Sequence, residues 1–114
     1  MKQYEIHFTP SALNDLHAVE DYLAEYSPLA AHDMRQRIVA KAEDLSVFPN
    51  RGKSVSALGY SESELRFVAE GKYFIFYKVI REHVKICRIL HGARNLGKLL
   101  ALLEFNGAEE QDQE

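Results

Sequence analysis

The sequence predicts an α+β domain in the order β-α-α-β-β-β-α, a helical hairpin packed on a curved antiparallel sheet. Three observations carry that prediction. Residues 4–9, "YEIHFT", alternate and are rich in β-formers. Two stretches with apolar residues at helical spacing follow, each opened by a hydroxyl residue and a proline. Three further β-rich runs, separated by short polar breaks, then lead to a leucine-rich ending.

Each element has its local reason. Thr9-Pro10 is a helix start, with the threonine as N-cap and the proline in the first turn, where its missing N–H costs nothing. Ala12, Leu16, Val19, Leu23 and Tyr26 form the apolar stripe of that helix. Ser27-Pro28 repeats the punctuation, and Ala31, Met34, Ile38, Ala42 and Leu45 make the second stripe. So short a break implies an antiparallel hairpin of helices. Pro49 and Gly52 in "VFPNRGKS" end the helical region, and residues 54–63 read as a polar loop. "SELRFVAE", "KYFIFYKVI" and "HVKICRILH" are three strands, the last alternating less cleanly than the others. Glu70-Gly71 and Arg81-Glu82-His83 are their tight connections. A last helix is expected from about Arg94 to Phe105.

A chain of 114 residues suits one domain, placed at 1–105, with 106–114 as an acidic tail that has nothing to bury. The 46% hydrophobic and 27% charged content is that of a globular protein and argues against disorder elsewhere. Cys87 is the single cysteine, which excludes an internal disulfide and a cysteine-based metal cluster and suits a reducing cytoplasm. The first ten residues lack a signal-peptide core, and no apolar run approaches the roughly 18–20 residues that cross a bilayer, so no membrane partner is expected. The net charge of −3 is unevenly spread. Residues 1–34 set one base against six acids, residues 35–98 thirteen bases against six acids, and 104–114 five acids against none. The middle of the chain is therefore basic and suited to an anionic partner.

The strand "KYFIFYKVI" carries Tyr73, Ile75, Tyr77 and Val79 on one face and Phe74, Phe76 and Ile80 on the other. Both faces therefore need cover. Leu96, Leu99, Leu100, Leu102 and Leu103 spread round more than one face of the last helix. An arc that wide is either deeply buried or docked to another molecule, and a partner is expected.

Four segments in order resemble the ParE/RelE superfamily of bacterial toxins, its ParE branch in particular. "YEIHFTPSALNDLHAVEDYLAE" is similar to that branch's opening strand and its "A..DL..I..Y" helix. "LSVFPNRGKS" resembles its "L..P..G" corner, "LRFVAEGKYFIFYKV" its meander, and "VKICRILHGARN" its closing "I.RVLHGARD". The likeness spans about residues 4–96. It implies the toxin of a type II toxin–antitoxin pair, neutralised by a cognate antitoxin and reaching operator DNA only through it. A homodimer or a toxin–antitoxin heterotetramer would suit the last leucines. ParE-type members are similar to poisons of DNA gyrase, whereas RelE-type members cut mRNA in the ribosome.

RNA cleavage requires proton transfer and cations around a phosphate transition state. Arg51, Lys53, Arg66, Arg88, His91 and Arg94 supply candidate parts, with Tyr77 as a further proton donor. His91 is the sharpest, since histidine titrates near neutrality. However, Gly92 and Ala93 beside it are inert, and His91 also reads as a strand-end residue bonded to backbone. Arg66 and Arg88 read equally well as a cross-strand pair or as partners of Glu64 or Glu62. The expectation is thus a non-catalytic gyrase inhibitor without a cofactor. Its antitoxin or target would contact Tyr73, Tyr77, Arg88, His91, Arg94, Leu96, Leu99, Leu100 and Leu103. The alternatives are a RelE-like endonuclease using His91, Arg66, Arg88 and Arg94, or a decayed toxin that only binds antitoxin and regulates its operon. His17 and Asp21, four apart on a helix, are too few for a metal site, and none is expected.

Overall fold

The computed structural model describes residues 3–55 and 64–92. Strand β1 spans Glu5–Phe8, helix α1 Pro10–Ala24 and helix α2 Pro28–Glu43, the last extended by a 3-10 turn at Asp44–Ser46. Strands β2 (Lys53–Ser54), β3 (Arg66–Glu70), β4 (Tyr73–Ile80) and β5 (His83–His91) follow. The expected last helix and acidic tail lie outside the described residues. No helix among those described is long and apolar enough to cross a membrane.

Both helix starts are built as the sequence implies. Ala12 N–H donates to Thr9 Oγ1 at 3.1 Å, and Ala30 N–H to Ser27 Oγ at 3.1 Å. Caps of this kind are each worth about 1 kcal/mol. The Thr9 hydroxyl also donates to the Cys87 carbonyl at 3.1 Å, which anchors the start of α1 on β5. Of the first stripe, Ala12, Leu16 and Val19 are buried and Leu23 is half-buried. Tyr26 is not part of it. The helix ends at Ala24, and Tyr26 sits in the following turn, 73% exposed, its ring 5.5 Å from that of Tyr22. In the second stripe Ala31, Ile38, Ala42 and Leu45 are buried.

The sheet has five strands in the order β1-β5-β4-β3-β2. Strands β3 to β5 form the expected antiparallel meander, and β2 extends it on the far side of β3. β1 departs from it by pairing in parallel with β5, Glu5 opposite His83 and Phe8 opposite Ile86. The supposed loop beginning at Ser54 also needs correction. Lys53–Ser54 forms a short edge strand on β3, and Val55 is fully buried. Two-residue turns join β3 to β4 and β4 to β5, and their first residues, Gly71 and Arg81, have φ of 60° and 56°. That sense matches the right-handed twist of the flanking strands.

The uneven alternation of β5 has a structural cause. The β4–β5 register slips between Phe76 and Tyr77, which face Arg88 and Ile86 respectively and leave Cys87 as a bulge. One inserted residue shifts every later side chain to the opposite face. Val84 and Ile86 before the bulge and Ile89 after it therefore share the helix-covered core with Tyr73, Ile75 and Tyr77. Phe76, Cys87 and Leu90 share the other face with Val55 and Leu65. These five are at most 2% exposed, and Phe67 and Phe74 beside them are half-buried.

Candidate functional site

The residues singled out from the sequence fall into three places. Arg88, at the bulge, reaches across to α1. Its Nε and a terminal nitrogen donate to the two carboxylate oxygens of Asp15 on α1, at 2.7 and 2.9 Å. The same carboxylate accepts from Ile89 N–H at 2.9 Å. Asp15 thus satisfies the backbone that the bulge displaces and holds α1 against β5. The two side chains are only 10% and 21% exposed. This is a shielded, bidentate pair of the strong kind.

Arg66, at the start of β3, donates to the carbonyls of Gly52 at 2.8 Å and Asn50 at 3.4 Å. It clamps the corner that leads into β2. Tyr77 lies under the same corner. Its ring is fully buried, and its hydroxyl accepts from Gly52 N–H at 2.8 Å. Burial pushes the Tyr77 phenol above the usual tyrosine range, against smaller opposing effects from the Gly52 hydrogen bond and from Arg66 and Arg51. Only glycine fits at position 52, because a Cβ there would meet the Phe67 carbonyl oxygen at 2.7 Å. Beside this corner is an open groove of about 360 Å³, lined by Lys41, Arg51, Lys53, Gly52, Phe67 and Val68. Three cations on a half-apolar floor suit a phosphate or carboxylate group.

His91 ends β5, as expected. Its ring meets Tyr73 edge-on at 5.3 Å, and it lines a cavity of about 420 Å³ with Leu23, Met34, Arg37, Lys72 and Tyr73. Arg37 is held by Glu70, whose Oε2 accepts from Arg37 Nε at 2.9 Å, and this carboxylate raises the guanidinium pKa further. Lys41 approaches the other oxygen of Glu70 at 3.8 Å.

The three places do not converge. Arg66 stands opposite Tyr77, and His91 opposite Tyr73. Four residues of β4 separate these positions, about 13 Å along the strand, and two inter-strand steps add about 10 Å across the sheet. Tyr73 and Tyr77, expected at a binding surface, are 4% and 0% exposed. They are core residues, because their face of β4 is the one the helices cover. Arg94, Leu96, Leu99, Leu100 and Leu103 lie outside the described residues. Arg37, Lys41 and Lys72 were missed from the sequence. Arg37 and Lys41, one turn apart on α2, offered a signal, but nothing in the sequence sets them beside β3.

A model of the ParE toxin of the type II toxin–antitoxin system, parDE, matches residues 6–96. This chain belongs to the ParE toxin family. The family assignment covers every described element except the first residue of β1. Toxin RelE2 of Caulobacter vibrioides is 37% identical over 90 residues, 79% of this chain and 97% of that protein. Among solved structures, the chromosomal ParDE toxin–antitoxin system from P. aeruginosa matches with a TM-score of 0.65 at 22% identity, over 78% of this chain and 96% of the other. That likeness shows the fold. The toxin–antitoxin complex RelBE2 from Mycobacterium tuberculosis matches with a TM-score of 0.55 at 28% identity, over 80% and 93%. The α+β architecture of two helices on a mostly antiparallel five-stranded sheet is therefore that of ParE and RelE toxins.

Proposed function

We propose that this ParE-family toxin acts by binding, not by catalysis, that its target is DNA gyrase, and that a cognate antitoxin neutralises it. One observation carries the non-catalytic reading. The groups that RNA cleavage would need are spread over the sheet and committed elsewhere, Arg88 to Asp15 and Arg66 to backbone carbonyls. An Arg88 held in a shielded ion pair has little left to give to a phosphate. His91 has Tyr73, Arg37 and Lys72 around its cavity, a set suited to docking a side chain. The neighbouring solved structures are toxin–antitoxin assemblies, which supports an antitoxin as partner.

The second reading, a ribosome-dependent endonuclease, is favoured by the groove of Lys41, Arg51 and Lys53 and by the RelE2 name of the 37% identical relative. One experiment separates the two. Purified toxin is given to gyrase with plasmid DNA and, in parallel, to translating ribosomes with a reporter mRNA. Inhibited supercoiling or trapped cleaved plasmid, with intact mRNA, is the expected result. Codon-specific cuts lost in Arg51→Ala/Lys53→Ala would replace the binding reading with the endonuclease. Inactivity in both assays, with retained antitoxin binding, would leave only the regulatory role.

A further inference from the structure

The sheet edge holds a cluster that lies outside all three places. Glu5 and His7 point to the same side of β1, since they are two residues apart. The parallel register sets Glu5 directly opposite His83 on β5. Ile6 and Phe8 pack on the helix-side core, so the cluster projects from the other face of the sheet and is exposed. Its three ligand atoms form a near-equilateral triangle. His7 Nε2 lies 3.0 Å from His83 Nδ1 and 3.2 Å from Glu5 Oε1, and His83 Nδ1 lies 3.4 Å from the same oxygen.

We propose that Glu5, His7 and His83 form a binding site for a divalent transition metal, zinc above all. Zinc holds imidazole nitrogens and carboxylate oxygens at about 2.0–2.2 Å in a tetrahedron, whose edges are then about 3.3–3.5 Å. The three observed separations, 3.0, 3.2 and 3.4 Å, come within a few tenths of an ångström of such a face. Two imidazoles and one carboxylate select zinc, copper or nickel over the harder calcium and magnesium. A fourth position would be left for water, and His7 and His83 line a groove of about 360 Å³ together with Phe8, Pro10, Ile80 and Lys85. Lys85, in register with His7, is the cation that faces the cluster, and the Glu5 carboxylate offsets it. A bound ion would tie β1 to β5 across 78 residues of chain. β1 has only four residues and pairs with β5 at the edge of the sheet, so the ion would add to its hold there.

The test is calorimetric titration of the full chain with zinc chloride after chelator treatment, beside cobalt(II) absorption and thermal unfolding. One equivalent of zinc should bind, cobalt should give the visible band of a tetrahedral site, and zinc at about a hundred times its Kd should raise the Tm by roughly 5 °C or more. His7→Ala and His83→Ala should each weaken binding at least about tenfold, since losing even an outer-shell contact typically costs about 10–100-fold. Both side chains are exposed, so circular dichroism should show the fold intact. His7→Gln and His83→Gln provide the same comparison should an alanine variant fail to fold. No zinc binding by the wild type, or binding that survives the His7→Ala/His83→Ala double variant and is lost with His17→Ala, would overturn the assignment.

Discussion

Replacing Asp15 by alanine removes one carboxylate and orphans three donors, two on Arg88 and the Ile89 N–H. Breaking a buried ion pair from one side costs about 3–5 kcal/mol, because the surviving charge has lost this carboxylate and has poor access to water. Arg88 keeps 21% of its side-chain surface and so regains some hydration, which places the expected loss near the lower limit, about 3 kcal/mol. In a domain of this size that is a fall in Tm of roughly 12 °C. Arg88→Ala should cost less, about 2 kcal/mol, because Asp15 retains the Ile89 N–H. Urea unfolding of the two single variants and the double variant, followed by circular dichroism, gives the coupling energy, expected above about 1.5 kcal/mol. A loss under about 1 kcal/mol for Asp15→Ala, or a coupling near zero, would refute the reasoning. The pair would then hold Arg88 only weakly, and its exclusion from catalysis would lose its basis.

Two further outcomes follow from backbone and burial. Arg81→Gly should stabilise the protein by about 0.5–1 kcal/mol in the same urea assay, since a non-glycine residue at φ 56° costs about 1–2 kcal/mol and glycine returns part of this as entropy. Equal or lower stability would mean that Arg81 makes a compensating contact. The raised Tyr77 pKa predicts alkaline lability: the unfolded phenol ionises near 10 while the folded one stays neutral, so stability should fall as pH rises through and above about 10. Tyr77→Phe should flatten that slope by up to about 1.4 kcal/mol per pH unit, and an unchanged slope would show that the phenol ionises equally in both states.

Much of the fold was legible from short-range signals. Thr9-Pro10 and Ser27-Pro28 marked both helix starts, because capping and proline act within one turn. The β-rich runs marked the meander, and both hairpin turns fall at the short breaks between them. Tyr26 failed because the apolar period continues past the residue where the helix ends. β2 failed because two residues carry no period at all.

The candidate site was legible only as a parts list. Arg51, Lys53, Arg66, Arg88 and His91 could all be named, but their distances depend on which strands become neighbours and on one bulge. Asp15 is one of six acids in residues 1–34, and nothing local marks it as the residue that holds Arg88 and caps the bulge. Glu5 and His7 were ordinary exposed strand positions until β5 brought His83 beside them.

The sequence by itself determined the class, the order of the described elements other than β2, and the helix faces other than Tyr26, since each depends on interactions within a few residues. It also carried the family resemblance, spread over those same local segments. Only the tertiary structure decided the parallel pairing of β1 with β5, the pairing of Arg88 with Asp15, and the separation of His91 from Arg66. Those arrangements join residues some 70 or more positions apart, or set distances across three strands, and they minimise free energy over the whole packed chain. A local pattern cannot encode them, because the same short segment is compatible with many neighbours until the core selects one.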